Sequence, residues 1–156
     1  MPTTRRRSQL VESTVRKIAA NKESLLDRLT ARLKFNKDDL DNELPEHADL
    51  VFQVGREFAL SESARDGQNE KLKRLKPAMY ERVGQALGPK AAQWKMDASL
   101  EEQPDWAEER DTYLRLKFET RRWEELKDAF SQRGYAMHNS AGLVTARIRA
   151  ESGMSE

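Results

Sequence analysis

Residues 105–133 contain neither glycine nor proline, and this uninterrupted run limits what the chain can fold into more than any other feature. A helix over it would be about 43 Å long at roughly 1.5 Å per residue. Inside it Leu116, Trp123 and Phe130 recur every seven residues, and Met137 continues the series just past Gly134. Tyr113 and Leu126 flank the seam at offsets of three or four. A seven-residue apolar repeat is the pattern of helices that pack lengthwise on another helix. So long a helix exceeds the diameter of a compact domain of 156 residues. Tyr113, Leu116, Trp123, Leu126, Phe130 and Met137 are therefore expected to meet a second copy of the chain.

The rest of the chain divides where its glycines and prolines fall. A first helix is expected from Ser8 to about Lys34, with Val15, Ile18, Leu25, Leu29 and Leu33 on one face. Phe35-Asn36-Lys37 breaks it, and Asn36 or Asp38 can cap a brief turn through Leu40 and Leu44. Pro45 suits the first turn of a second long helix. Its face carries Val51, Val54 and Phe58, then Leu72, Leu75, Met79 and Val83, and turns polar around Ser61, Arg65 and Gln68. Gly67 and Pro77 are its expected weak points, with Pro77 kinking or restarting it, and Gly84, Gly88 and Pro89 are expected to end it. Residues 89–104 read as a linker, and Asp105 after Pro104 opens the long helix. Beyond Gly134 comes a short amphipathic piece from Leu143 to Ile148. The expected class is all-α, with long helices forming an elongated hairpin or bundle that oligomerises through heptad-like seams. Residues 1–20 are expected to form a basic extension, 21–148 the helical oligomerisation and binding domain, and 149–156 a flexible tail.

Catalytic chemistry finds little support. There is no cysteine, which excludes disulfides and thiolate metal sites and fits a reducing cytoplasm. His47 and His138 lie far apart and in no metal-ligand spacing. Neighbouring acids such as Glu108-Glu109 and Glu124-Glu125 point about 100° apart on a helix and make poor acid/base dyads. No phosphate loop and no nucleophile elbow is present. The longest purely apolar run, Leu50-Val51-Phe52, is far too short for a membrane span. The expectation is a non-enzymatic cytoplasmic protein without metal or cofactor.

A formal charge of +1 hides a block pattern. Residues 1–34 balance to +6, 35–70 to −7, 71–96 to +6, 97–130 to −5 and the tail to +1. Such blocks suit pairing between subunits and a separate surface for a polyanion. The candidate surface is Lys71, Lys73, Arg74 and Lys76, followed by Tyr80 and Arg82. A ridge of this kind can neutralise consecutive phosphates while Tyr80 stacks on an unpaired base. Trp94, near Lys90 and Lys95, is a second stacking candidate, and Arg5-Arg6-Arg7 is a basic arm. The competing reading pairs the ridge with an acidic block of a neighbouring subunit and places both aromatics in the core.

Asp105-Trp106 through Phe130-Ser131-Gln132-Arg133-Gly134-Tyr135-Ala136-Met137 resembles the last helix of the UvsY-type phage recombination mediators. That family's helix likewise ends in a basic residue, Gly, an aromatic, Ala and an aliphatic. Leu25, Leu29, Lys34-Phe35 and Leu40 through Leu50 resemble the family's opening segment, and the likeness spans roughly Leu25 to Ile148. It implies a homo-oligomer, a ring of roughly six to eight subunits, that binds single-stranded DNA. It also implies a RecA-like recombinase and a single-strand-binding protein as partners, the latter displaced while the former is loaded, in a bacterial host cell. One departure stands out. The family's DNA-contacting segment carries Lys-Ala-Arg after a leucine, whereas this chain has Leu75-Lys76-Pro77-Ala78, so Arg74, Arg82 or the Arg5–Arg7 arm would supply the third cation. The alternative function is an adaptor whose charged helices serve assembly only.

Overall fold

The computed structural model describes residues 20–88 and 91–153. The fold is all-α, and among the described residues four helices account for nearly everything. These are α1 (residues 20–31), α2 (Leu40–Leu87), α3 (Gln93–Glu101) and α4 (Pro104–Gly153). They build two compact units, one from residues up to Val54 together with those from Leu126 onward, the other from Gly55–Glu125. Helices α2 and α4 contribute to both. The expected helix before residue 20, with Val15 and Ile18, the basic extension and the Arg5–Arg7 arm all lie outside the described residues.

Several expected boundaries move, each for a physical reason. Helix α2 begins at Leu40, five residues ahead of Pro45, because Asp39 starts it: its carbonyl accepts the Glu43 N–H and its carboxylate the Asn42 side-chain amide. Asn36 instead closes a turn by accepting the Asp38 N–H at 3.1 Å. Pro45 and Pro77 both lie inside α2, which neither prevents. Each removes one N–H from the helix ladder, but Asp41 and Lys73, whose carbonyls lose that donor, are exposed and can turn to water. Leu72, Met79 and Val83, buried on either side of Pro77, hold the helix through it. Gly88 ends α2 with a φ of +87°, a conformation only glycine adopts cheaply. The expected linker contains α3, anchored by Leu100. Helix α4 begins at Pro104 and runs through Gly134 and the anticipated tail to Gly153.

In the first unit Leu29, Leu50, Val54, Leu126, Phe130 and Met137 are buried. Gly134, expected to end a helix, is needed there for another reason. A Cβ at this position would sit 2.7 Å from His47 Nε2. The His47 ring is held in that notch, stacked on Phe130 at 6.2 Å between centroids. Gly134→Ala should therefore change sign with its neighbour. Alone it is expected to destabilise, because the clash outweighs the roughly 1 kcal/mol of helix propensity that alanine gains over glycine. In a His47→Ala background the same change should stabilise by about that amount. Urea titrations of the four proteins check this, and equal signs in both backgrounds would refute the notch.

His47 also makes this unit sensitive to pH. Burial, and secondly the Arg133 guanidinium, lower its pKa below the ordinary 6.5. Its Nδ1 is buried with no hydrogen-bond partner among the described residues, so a proton there would gain no acceptor. A depressed folded pKa means the unfolded chain binds the proton first. The contribution of neutral His47 is thus present above about pH 6.5 and is lost as pH falls through the lowered value. The denaturation midpoint should drop between pH 7 and 5.5, and His47→Leu should flatten that slope.

The second unit pairs α2 and α4 antiparallel, since Ser61 meets Thr120 while Gln68 and Lys71 meet Glu109. The polar interruption around Ser61 is buried and satisfied. Its hydroxyl lies 2.9 Å from that of Thr120, whose oxygen is also within 2.8 Å of the Leu116 carbonyl. Nearer the α2–α3 connection, Leu72, Met79, Leu100 and Trp106 form one cluster, with Leu75, Tyr80 and Tyr113 packed against it.

Candidate nucleic-acid interface

The basic residues of α2 all fall in the second unit, but the fold does not keep them as one ridge. Leu72, Met79 and Val83 turn one face of α2 inward, and the cations distribute on its two flanks. On the flank toward α4, Lys71 Nζ donates to Glu109 Oε1 at 2.5 Å, and Arg82 lies 3.5 Å from Asp105. Arg74 joins them along a groove of about 530 Å³ that Asp105, Glu108 and Glu109 line from the opposite side. The Lys71 ammonium, and then the Gln68 amide, hold Glu109 below the usual carboxylate range.

On the other flank Lys73 pairs with Glu70 at 2.7 Å, which raises the lysine and lowers the carboxylate. Lys76 Nζ sits over the Tyr80 ring at 5.2 Å from its centroid. Tyr80 is only half-exposed. Its hydroxyl bonds the Asp97 carboxylate, which raises its pKa, and accepts from Gln93 at 3.2 Å. The ring expected to stack on a base is therefore engaged by α3, which lies within the expected linker. Arg74 and Lys76 make no salt bridge among the described residues, and both are exposed.

Trp94 behaves differently. Its indole is 68% exposed at the start of α3, with Lys95 Nζ 5.5 Å from the ring centroid. A tryptophan left in water beside a cation is the combination that stacks an unpaired base and meets its phosphate. The other exposed aromatic of this unit, Phe118 on α4, lies outside the expected basic surface and seam. Its spacing of four from Leu114 and from Arg122, away from the seam, was the available signal.

The six seam residues are placed against the chain itself. Trp123, Leu126, Phe130 and Met137 are buried, Tyr113 packs on the Leu72–Met79–Leu100–Trp106 cluster, and Leu116 is half-buried. The helix they face is the chain's own α2, at Ser61–Thr120 in one unit and at His47–Phe130 in the other. Of the six, half-buried Tyr113 and Leu116 keep surface to offer a second copy. Among the described residues no three His, Asp or Glu side chains converge on a point that could hold a metal ion, and no helix is long and apolar enough to cross a membrane. Scans against protein-family profiles, curated proteins and solved structures find no match to this chain.

Proposed function

We propose that this chain binds single-stranded DNA without catalysing a reaction, and serves as a homo-oligomeric recombination mediator that helps load a RecA-like recombinase as single-strand-binding protein is displaced. The observation that supports the reading best is the exposed Trp94–Lys95 pair, in the same unit as the exposed cations Arg74 and Lys76. Trp94 takes the stacking role that Tyr80 was expected to fill. The pairs Lys71–Glu109, Lys73–Glu70 and Arg82–Asp105 join exposed or part-exposed groups, where an ion pair contributes little and can give way to a phosphate. Each site binds weakly, and several sites in one oligomer multiply into avidity.

Fluorescence anisotropy with labelled oligo-dT at low and moderate salt, with a duplex of equal length as control, tests this. Binding should favour the single strand and weaken steeply with salt. Trp94→Ala should weaken it about tenfold, the loss of one stacked base. Folded protein that binds neither strand would overturn the reading. A second reading, an assembly adaptor, draws on the same ion pairs, because Glu109 and Asp105 already answer Lys71 and Arg82. It predicts no salt-sensitive DNA binding.

A further inference from the structure

On α4 a second feature of the Gly55–Glu125 unit has no role in the packing just described. Phe118 is 65% exposed, and Leu114, one turn before it, is also exposed. A groove of about 350 Å³ runs beside them, lined by Arg65, Lys117, Arg121, Thr120 and Glu124. The Arg122 guanidinium lies over the same ring, 6.0 Å from the Phe118 centroid. Three cations thus line the groove against one carboxylate, and a fourth lies over the Phe118 ring.

Two of the charges, on Lys117 and Arg121, are available as well as present. Lys117 makes no salt bridge among the described residues. Arg121 bonds Glu125 at 3.0 Å with both side chains mostly in water, so the pair is weak and exchangeable. Arg65 is held at the groove's α2 wall by Glu62 and Asp66, which fix its direction. The apolar part is small: one ring and one leucine. A partner helix would need anchors at several successive turns, and the groove offers only Leu114 and Phe118. An exposed ring surrounded by cations instead matches a nucleotide, whose base has a π-face and whose neighbouring phosphates are anionic.

We propose that Phe118, with Lys117, Arg121 and Arg122, forms a second stacking site for a base of single-stranded DNA. The proposal rests on the DNA-binding reading and places a contact on α4, apart from the Trp94 and Lys76 surface. A strand long enough to reach both sites gains from their linkage, whereas a short one engages either alone.

The test uses the full chain and an oligo-dT in which 5-iododeoxyuridine replaces thymidine at scattered positions. After irradiation, cross-linked peptides are identified by mass spectrometry, and anisotropy is measured for Phe118→Ala and Phe118→Trp. Expected are a cross-link at Phe118, about tenfold weaker binding for Phe118→Ala, and recovery with Phe118→Trp. Phe118 is exposed, so the variants should keep the parent's circular dichroism. Cross-links confined to the Trp94 region, with Phe118→Ala binding like the parent, would overturn the site and leave DNA binding standing. Dissociation of an oligomer by Phe118→Ala at unchanged DNA affinity would give this face to a second copy and also overturn it. A parent protein that binds no oligo-dT would overturn both readings.

Discussion

Phe130→Ala is expected to lower the stability of the folded chain by about 3–5 kcal/mol, the cost of truncating a fully buried phenylalanine. Phe130 is fully buried, stacks on His47 and lies one turn from buried Leu126 and Arg133. Removing the ring loses its transfer free energy and leaves a cavity that long helices cannot readily collapse around. A domain of this size has roughly 5–15 kcal/mol in total, so the variant should lose a large share of its stability and unfold at a much lower urea concentration than the parent. Phe52→Ala is the control. That ring is 75% exposed, and its loss should stay within about 0.5 kcal/mol. The pair also decides which helix the seam serves. If the chain's own α2 covers it, the Phe130→Ala loss is independent of protein concentration. A normal unfolding midpoint in dilute solution, with weakened self-association, would show that the seam works between copies instead.

The second large effect lies one turn away. Glu43→Gln is expected to cost about 3 kcal/mol, because it strands a buried guanidinium. Only 2% of the Arg133 side chain is exposed, and its Nη2 donates to Glu43 Oε2 at 2.5 Å. Its Nη1 meets the Met137 sulfur at 3.0 Å, and its guanidinium lies 5.6 Å from the Phe35 ring centroid. Glu43 is doubly used, for its other oxygen accepts the Asn36 N–H at 3.0 Å and pins the loop between α1 and α2. Arg133→Met should likewise destabilise. Together, Glu43→Gln and Arg133→Met should recover most of the loss, since the buried charge goes and the amide oxygen can still hold Asn36. Additive penalties in urea titrations would mean the two side chains act independently, contrary to the bonded pair.

Much of the fold was legible in the residues. Apolar spacing marked α4 and both halves of α2, and Gly88 was recognised as a stop. Glycine was less reliable elsewhere. A glycine in sequence looks the same whether it must reach a positive φ, as Gly88 does, or must let a ring pass, as Gly134 does for His47. Proline misled in a similar way. Pro45 and Pro77 cost hydrogen bonds that exposure lets water replace, and burial of their neighbours is a tertiary property. Helix α3 was invisible because its nine residues bury only Leu100, too few to show a period.

The candidate site was legible as residue types and not as an arrangement. Sequence marked the cations at Lys71 to Arg82 and named Trp94 as a second platform. It could not tell that α3 and α4 would stand on opposite flanks of α2, drawing Tyr80 to Asp97 and Lys71 to Glu109. By itself, then, the sequence determined the all-helical class, the long segments and the register of the apolar seam. These follow from local propensity and a period that every turn of one helix repeats. Tertiary structure alone decided what the seam faces and which cations stay free. A heptad pattern records that a helix has a partner, while the partner's identity depends on where distant residues meet.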